Sequence, residues 1–178
     1  MGTITFLVGG ARSGKSALAV ELGRRHGGEV VVVATAEAFD DDLRDRIARH
    51  RAERPAWPTI EEPLDLAGAV RRAPAGALLI VDCLTVWLGN VLHAGATGAA
   101  IDTDAATAEL VDTLLRRDGP SVVISNEVGL GLVPDTPLGR TYRDLLGRIN
   151  QAAAAAATTS LLLVAGRATV LRDPWEML

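Results

Sequence analysis

Gly9-Gly10-Ala11-Arg12-Ser13-Gly14-Lys15-Ser16 has the spacing G-x-x-x-x-G-K-[ST], that of a phosphate-binding P-loop. The run Thr3 to Val8 before it reads as a strand, and Lys15 to His26 after it reads as a helix stopped by Gly27-Gly28. That context gives the spacing its meaning. Glycines let the backbone curl so that its N–H groups point at phosphate oxygens, and the helix adds its positive end to the same spot. The eight residues from Gly9 to Ser16 are therefore all candidate nucleotide contacts. Lys15 reaches the outer phosphates, and the Ser16 hydroxyl suits Mg²⁺.

Working outward, Val30 to Ala34 is an unbroken β-branched run, as in a parallel strand buried on both faces. Thr35 ends it, at the edge where parallel sheets bind ligands. Asp40-Asp41-Asp42 opens an expected helix that puts Leu43, Ile47 and His50 on one inward stripe, ringed by Arg44, Arg46, Arg49 and Arg51. Pro55 closes it, Pro58 and Pro63 mark a loop, and Leu64 to Ala73 reads as a short helix. Ala77 to Val81 is a third strand, and Asp82 at its carboxyl end makes a Walker B pattern, a second candidate Mg²⁺ ligand. Helical spacing follows over Leu84 to Leu92, from Asp102 or Thr103 to Arg117, and from Leu138 to Ala157. Ser121 to Ser125 and Leu161 to Ala165 read as strands, and Val170 sits in an expected edge strand. Asn126 to Pro134 is a polar, glycine-bearing loop at a strand's carboxyl end. The fold expected is α/β, P-loop NTPase-like (RecA-like): a mostly parallel sheet flanked by helices.

The 178 residues fit a single domain, 1–178. Aromatics are only 3%, so Ala, Val and Leu must fill the core. A net charge of −4 gives no global pull toward nucleic acid. One cysteine, Cys83, excludes an internal disulfide and suits a reducing compartment. No secretory pattern and no run of roughly 20 apolar residues is present, so a cytoplasmic protein without an integral membrane segment is expected.

These residues imply a Mg²⁺–nucleoside triphosphate domain that transfers phosphoryl groups or hydrolyses the nucleotide; they name no acceptor. Several stretches together resemble one family: the bifunctional adenosylcobinamide kinase/adenosylcobinamide-phosphate guanylyltransferase of cobalamin synthesis. They are the P-loop, Ala34-Thr35-Ala36, Arg46-Ile47-Ala48-Arg49-His50-Arg51 with Arg54-Pro55 and Trp57, Ser125-Asn126-Glu127-Val128-Gly129-Leu130-Gly131-Leu132-Val133-Pro134, Gly147-Arg148-Ile149-Asn150-Gln151 and Leu163-Val164-Ala165-Gly166. The resemblance implies two reactions at one nucleotide site. A triphosphate, ATP or GTP, phosphorylates the aminopropanol hydroxyl of adenosylcobinamide. GTP then guanylylates His50, and adenosylcobinamide phosphate takes the GMP to give adenosylcobinamide-GDP. It also implies that Thr35, Arg51, Arg54 and Glu62 (chosen over Glu61) contact the nucleotide, and that the chain forms a homotrimer. Two rival readings stay open: another small-molecule P-loop kinase in which His50 is structural, and a regulatory nucleotide-binding module.

Overall fold

The computed structural model describes residues 2–37, 48, 51–98 and 100–177. Among these, seven strands form one sheet: β1 (Ile4–Gly9), β2 (Val30–Ala34), β3 (Thr59–Glu61), β4 (Leu78–Asp82), β5 (Ser121–Ile124), β6 (Thr159–Val164) and β7 (Arg167–Leu171). Their order is β3-β2-β4-β5-β1-β6-β7. Every pairing is parallel except β6 with β7. Val30 to Val33 and Leu78 to Val81 are buried along their whole length, as strands covered on both faces must be. The expected helix from Asp40, with Leu43, Ile47 and His50 on it, lies outside the described residues.

The described helices are α1 (Lys15–His26), α2 (Leu66–Arg72), α3 (Leu84–Ala96), α4 (Thr103–Arg116) and α5 (Pro137–Ala156). Local chemistry fixes their starts. Asp65 accepts from the Gly68 N–H at 2.8 Å, Asp102 from the Asp104 and Ala105 N–H groups, and Thr136 from Gly139, with Pro137 in the first helical position. One face of the sheet packs in a core with Trp87, Leu88, Leu110 and Leu146, contributed by α3, α4 and α5. The other face, with Val32, Ile80 and Ile124, packs against Ala19, Leu18 and Leu22 of α1 and against Trp57. Trp57 lies directly over Gly23, where a β-carbon would strike its ring.

The structure shifts several expected boundaries. Thr59–Glu61 is a strand, pairing Val32 with Thr59, where two prolines suggest only a loop. Three residues carry too short a pattern to show in sequence; their pairing is a tertiary gain. Helix α3 runs on to Ala96, past the expected end at Leu92. The last strand returns antiparallel through the turn Ala165-Gly166, whose φ values of 51° and 71° suit a tight hairpin.

Candidate functional site

Strand β1 delivers the chain into the P-loop at the sheet's carboxyl edge, between β5 and β6. Gly9 pairs with Leu163, and a β-carbon at Gly9 would run into the Leu163 carbonyl oxygen. No other residue fits there. The loop is braced from outside: the Gly166 N–H donates to the Ser13 carbonyl at 2.9 Å, and Gly14, at φ 104°, lies against Gly166. Lys15 is buried, and its ammonium donates to the carbonyls of Gly9 (2.8 Å) and Gly10 (2.7 Å) and to the Ser13 hydroxyl (3.3 Å). Burial lowers its pKa, while the charges of Cys83 and Asp82 act the other way. Ala11 and Arg12 stand exposed at the loop's crest, Arg12 with a left-handed φ of 56°.

Strand β4 brings Asp82 to the same edge, one strand removed from the P-loop strand. Thr35 is fully buried behind it. Its hydroxyl lies 3.2 Å from the Asp82 carbonyl and 3.0 Å from that of Cys83, and accepts from the Cys83 N–H at 2.9 Å. Its own N–H donates to the Asp82 carbonyl, and its carbonyl accepts from the Asn90 side chain. The hydroxyl and N–H of Thr35 hold the Asp82–Cys83 backbone, and its carbonyl holds Asn90. The Cys83 thiol is pushed up to about 11, by burial first and by Asp82 second.

The segment after residue 50 supplies the charged wall. Arg54 donates through Nη2 to the Thr59 hydroxyl at 2.8 Å, while its buried Nη1 has no hydrogen-bond partner among the described residues. Burial lowers its pKa, Arg51 adds to that, and Asp82 opposes it. Arg51 pairs with Glu61, and both are exposed. Glu62 is held by its own segment and by Arg72. Its carboxylate accepts from the N–H groups of Leu64 (3.2 Å) and Asp65 (2.9 Å) and pairs with Arg72 at 2.8 Å. Burial pushes its pKa up, but the N–H groups and Arg72 outweigh that and hold it below the usual carboxylate value. The reason is local: Glu62 is three residues before Asp65, the cap of α2, and caps the turn leading into it.

The loop after β5 closes the third side. The Ser125 N–H donates to the Leu7 carbonyl, and the Glu127 N–H to the Gly9 carbonyl at 3.1 Å, so this loop and Lys15 share one acceptor. The buried Ser125 hydroxyl donates to Asn150 Oδ1 at 2.6 Å; Asn150 Nδ2 donates to the Asn126 carbonyl at 3.0 Å. The Asn126 N–H donates to the Thr85 hydroxyl at 2.7 Å. Asn90, Asn150 and Thr85 are absent from the set of site residues read in the sequence. The available signal was a polar residue inside an apolar stripe: Asn90 beside Trp87 and Val91, and Asn150 beside Leu146 and Ala153.

Between α1 and the sheet edge lies a cavity of about 410 Å³ whose lining includes Ser16, Asp82, Arg54 and Trp57 over a floor of Val32 and Ile80. Ser16, Asp82 and Arg54 thus converge on it; Arg51 and Glu62 are paired with Glu61 and Arg72, and His50 lies outside the described residues. Among the described residues no group of three His, Cys, Asp or Glu forms a closed metal cage. A hard cation that keeps its waters and shares phosphate oxygens needs only one or two protein oxygens, which the Ser16 hydroxyl and the Asp82 carboxylate offer from one cavity wall.

Comparison with known proteins places this geometry. The family described as cobinamide kinase / cobinamide phosphate guanyltransferase matches residues 5–171. A "bifunctional adenosylcobalamin biosynthesis protein CobP" from Pseudomonas aeruginosa is 44% identical over 162 residues, covering 90% of this chain and 92% of its own. A "bifunctional adenosylcobalamin biosynthesis protein CobU" from Salmonella typhimurium is 37% identical over 175 residues, covering 90% and 94%. Among solved structures, an ATPase from a type III secretion system superposes with a TM-score of 0.55 at 14% identity, over 92% of this chain and 51% of its own. A Pyrococcus horikoshii protein superposes with a TM-score of 0.57 at 8% identity, over 97% and 88%. At such identities these structures speak for the fold alone, which is that of the P-loop ATPases.

Proposed function

The chain belongs to the cobinamide kinase / cobinamide phosphate guanyltransferase family, and on that premise we propose that one nucleotide site, in one domain over residues 1–178, carries out both reactions. The observation that carries this reading is the convergence of Ser16, the last residue of the P-loop, with Asp82 and Arg54 on one cavity. In the kinase reaction the aminopropanol hydroxyl oxygen of adenosylcobinamide attacks the γ-phosphorus of ATP or GTP. The new O–P bond forms as the β–γ bridging bond breaks, the nucleoside diphosphate leaves, and the hydroxyl proton passes to solvent. Lys15 exchanges its loop carbonyls for the outer phosphate oxygens, and the loop N–H groups from Gly9 to Ser16 hold the rest. Ser16 and Asp82 would hold Mg²⁺. When bound, that ion neutralises charge on the phosphates.

In the second reaction an imidazole nitrogen of His50 attacks the α-phosphorus of GTP, and pyrophosphate leaves. An oxygen of adenosylcobinamide phosphate then attacks this phosphorus, the N–P bond breaks, and adenosylcobinamide-GDP departs. Splitting the displacement lets a bulky acceptor enter after pyrophosphate has gone. Arg54 binds the α-phosphate side through its unpartnered nitrogen, with Arg51 beside it. Glu62 reaches guanine only if it gives up Arg72; otherwise it serves as the brace that shapes the guanine side. Thr35 positions Asp82. Among the described residues no helix is long and apolar enough to cross a membrane. We assign the chain to the cytoplasm as a homotrimer, with no nucleic-acid partner.

The test is formation of cobinamide phosphate, followed by mass spectrometry. Ser16→Ala and Asp82→Ala are each expected to slow the kinase reaction roughly a hundredfold or more, with a raised Mg²⁺ requirement. Full activity in either variant at limiting Mg²⁺ contradicts the metal assignment.

A further inference from the structure

Strand β5 lies between β4, which ends in Asp82, and β1, which runs into the P-loop. Its ladder to β1 does not stop at Ile124. The N–H groups of Ser121, Ser125 and Glu127 donate in turn to the carbonyls of Thr3, Leu7 and Gly9, so the chain stays extended through residue 127. Side chains alternate along such a segment. Val123 packs in the core with Trp87 and Leu146, and Ser125 reaches Asn150 of α5 on that same side. Val122 and Ile124 pack in the opposite core, with Ala19 of α1 and Trp57, and Ile124 lines the cavity together with Ser16 and Asp82. Asn126 is the next residue on the cavity face. Ile124 is the register partner of Asp82, so Asn126 stands roughly 7 Å beyond that pair toward the carboxyl edge, between the strand of Asp82 and that of the P-loop.

The backbone of Asn126 is clamped and its side chain is not. Its N–H donates to the Thr85 hydroxyl of α3 at 2.7 Å, and its carbonyl accepts from the Asn150 amide of α5 at 3.0 Å. The clamp is itself tied. Asn150 is buried and accepts from the Ser125 hydroxyl, and the Thr85 carbonyl accepts from the Tyr142 hydroxyl of α5 at 2.9 Å. The half-buried Asn126 side chain makes no hydrogen bond among the described residues. Two helices thus fix a residue whose own amide holds nothing in the fold. An amide on a backbone fixed in this way is a donor whose orientation is set before the ligand arrives.

We propose that Asn126 is a catalytic residue of the kinase reaction, its Nδ2–H donating to a non-bridging oxygen of the γ-phosphoryl group in transfer, with Thr85 and Asn150 as positioning residues. The inference rests on the reading of the nucleotide site given above. As the acceptor's O–P bond forms and the β–γ bridging bond breaks, charge spreads over the equatorial oxygens of the γ-phosphorus. The amide meets that charge without giving up its proton. In guanylyl transfer the γ-phosphoryl group leaves unreacted within pyrophosphate, so the same contact contributes far less there.

The experiment compares wild type with Asn126→Ala, Asn150→Ala and the double variant, each as the full chain. It reads kcat and nucleotide KM for cobinamide phosphorylation, the slow hydrolysis of triphosphate without acceptor, the single-turnover rate of covalent labelling by α-labelled GTP, and thermal melting. Asn126→Ala is expected to lower the kcat of phosphorylation, and acceptor-free hydrolysis with it, roughly a hundredfold, as the loss of one fixed donor does. Its labelling rate and its melting temperature stay nearly unchanged, because the side chain removed holds no other group. The double variant is expected to be no slower in phosphorylation than Asn126→Ala, since Asn150 acts on the reaction through Asn126. An unchanged kcat in Asn126→Ala overturns the proposal. So does an equal fall in phosphorylation and labelling, which would make Asn126 a general support of the site. If wild type hydrolyses triphosphate but phosphorylates no cobinamide, the reading of the acceptor falls. The contact is then upheld by the loss of hydrolysis in Asn126→Ala and overturned by its persistence.

Discussion

The two walls of the nucleotide site are built differently. The P-loop wall is held by backbone. Gly9 fits only as glycine beneath the Leu163 carbonyl, Gly14 lies against Gly166, and the Gly166 N–H braces the Ser13 carbonyl. The wall made by residues 51–65 is held by side chains. Arg51 pairs with Glu61, Arg54 with Thr59, and Glu62 with Arg72 and two N–H groups. A backbone wall has one arrangement and breaks when it is changed. A side-chain wall can trade partners, and each trade costs little when the pair is exposed. On the proposed reading, in which one site presents first a γ- and then an α-phosphorus, the fixed cradle would serve both reactions and the adjustable wall the difference.

Substitutions separate the two walls, and the largest effect belongs to the cradle. Gly9→Ala pushes a methyl into the Leu163 carbonyl; it is expected to cost about 2–3 kcal/mol in urea unfolding and to remove nucleotide binding. A variant as stable as wild type with an unchanged nucleotide KM would break the contrast. Arg54→Ala comes next. Loss of one charge-assisted contact predicts a GTP KM roughly 10–100-fold higher with nearly unchanged folding stability, measured by initial rates and thermal melting. An equal loss of stability would make Arg54 a structural residue like those of the cradle.

The smallest effect is at Glu62. Glu62→Gln removes the ion pair with Arg72 and weakens two caps, for about 1 kcal/mol at neutral pH. Because the folded pKa is below the ordinary 4.5, this stabilisation is fully present above that value and is lost as pH falls through the lower folded value. Urea titrations of both proteins from pH 7 to pH 3 should therefore converge. If the gap persists in acid, the carboxylate's charge is not the source.

The contrast also explains what could be read in advance. The cradle is legible because its requirements are local: eight residues, a strand before and a helix after. The buried strands announce themselves as unbroken apolar runs, and Asp82 ends one. The other wall depends on partners far away in sequence. Nothing near Glu62 says that Arg72 will meet it, nothing near Thr35 says that Asp82 and Cys83 will cover it, and Thr59–Glu61 becomes a strand only because β2 offers an open edge. Asn150 is hidden for the same reason. A polar residue in an apolar stripe signals burial, but its partners Ser125 and Asn126 come from another element.

The central claim is that one cradle serves two phosphorus atoms, and covalent labelling tests it most directly. The full-length protein is incubated with α-labelled GTP and Mg²⁺, denatured in mild alkali, and compared with His50→Ala. The account predicts label retained on wild type, absent from His50→Ala, absent from Lys15→Ala, and discharged when cobinamide phosphate is added before denaturation. Label on neither wild type nor variant, or equal label on wild type and His50→Ala, would contradict it.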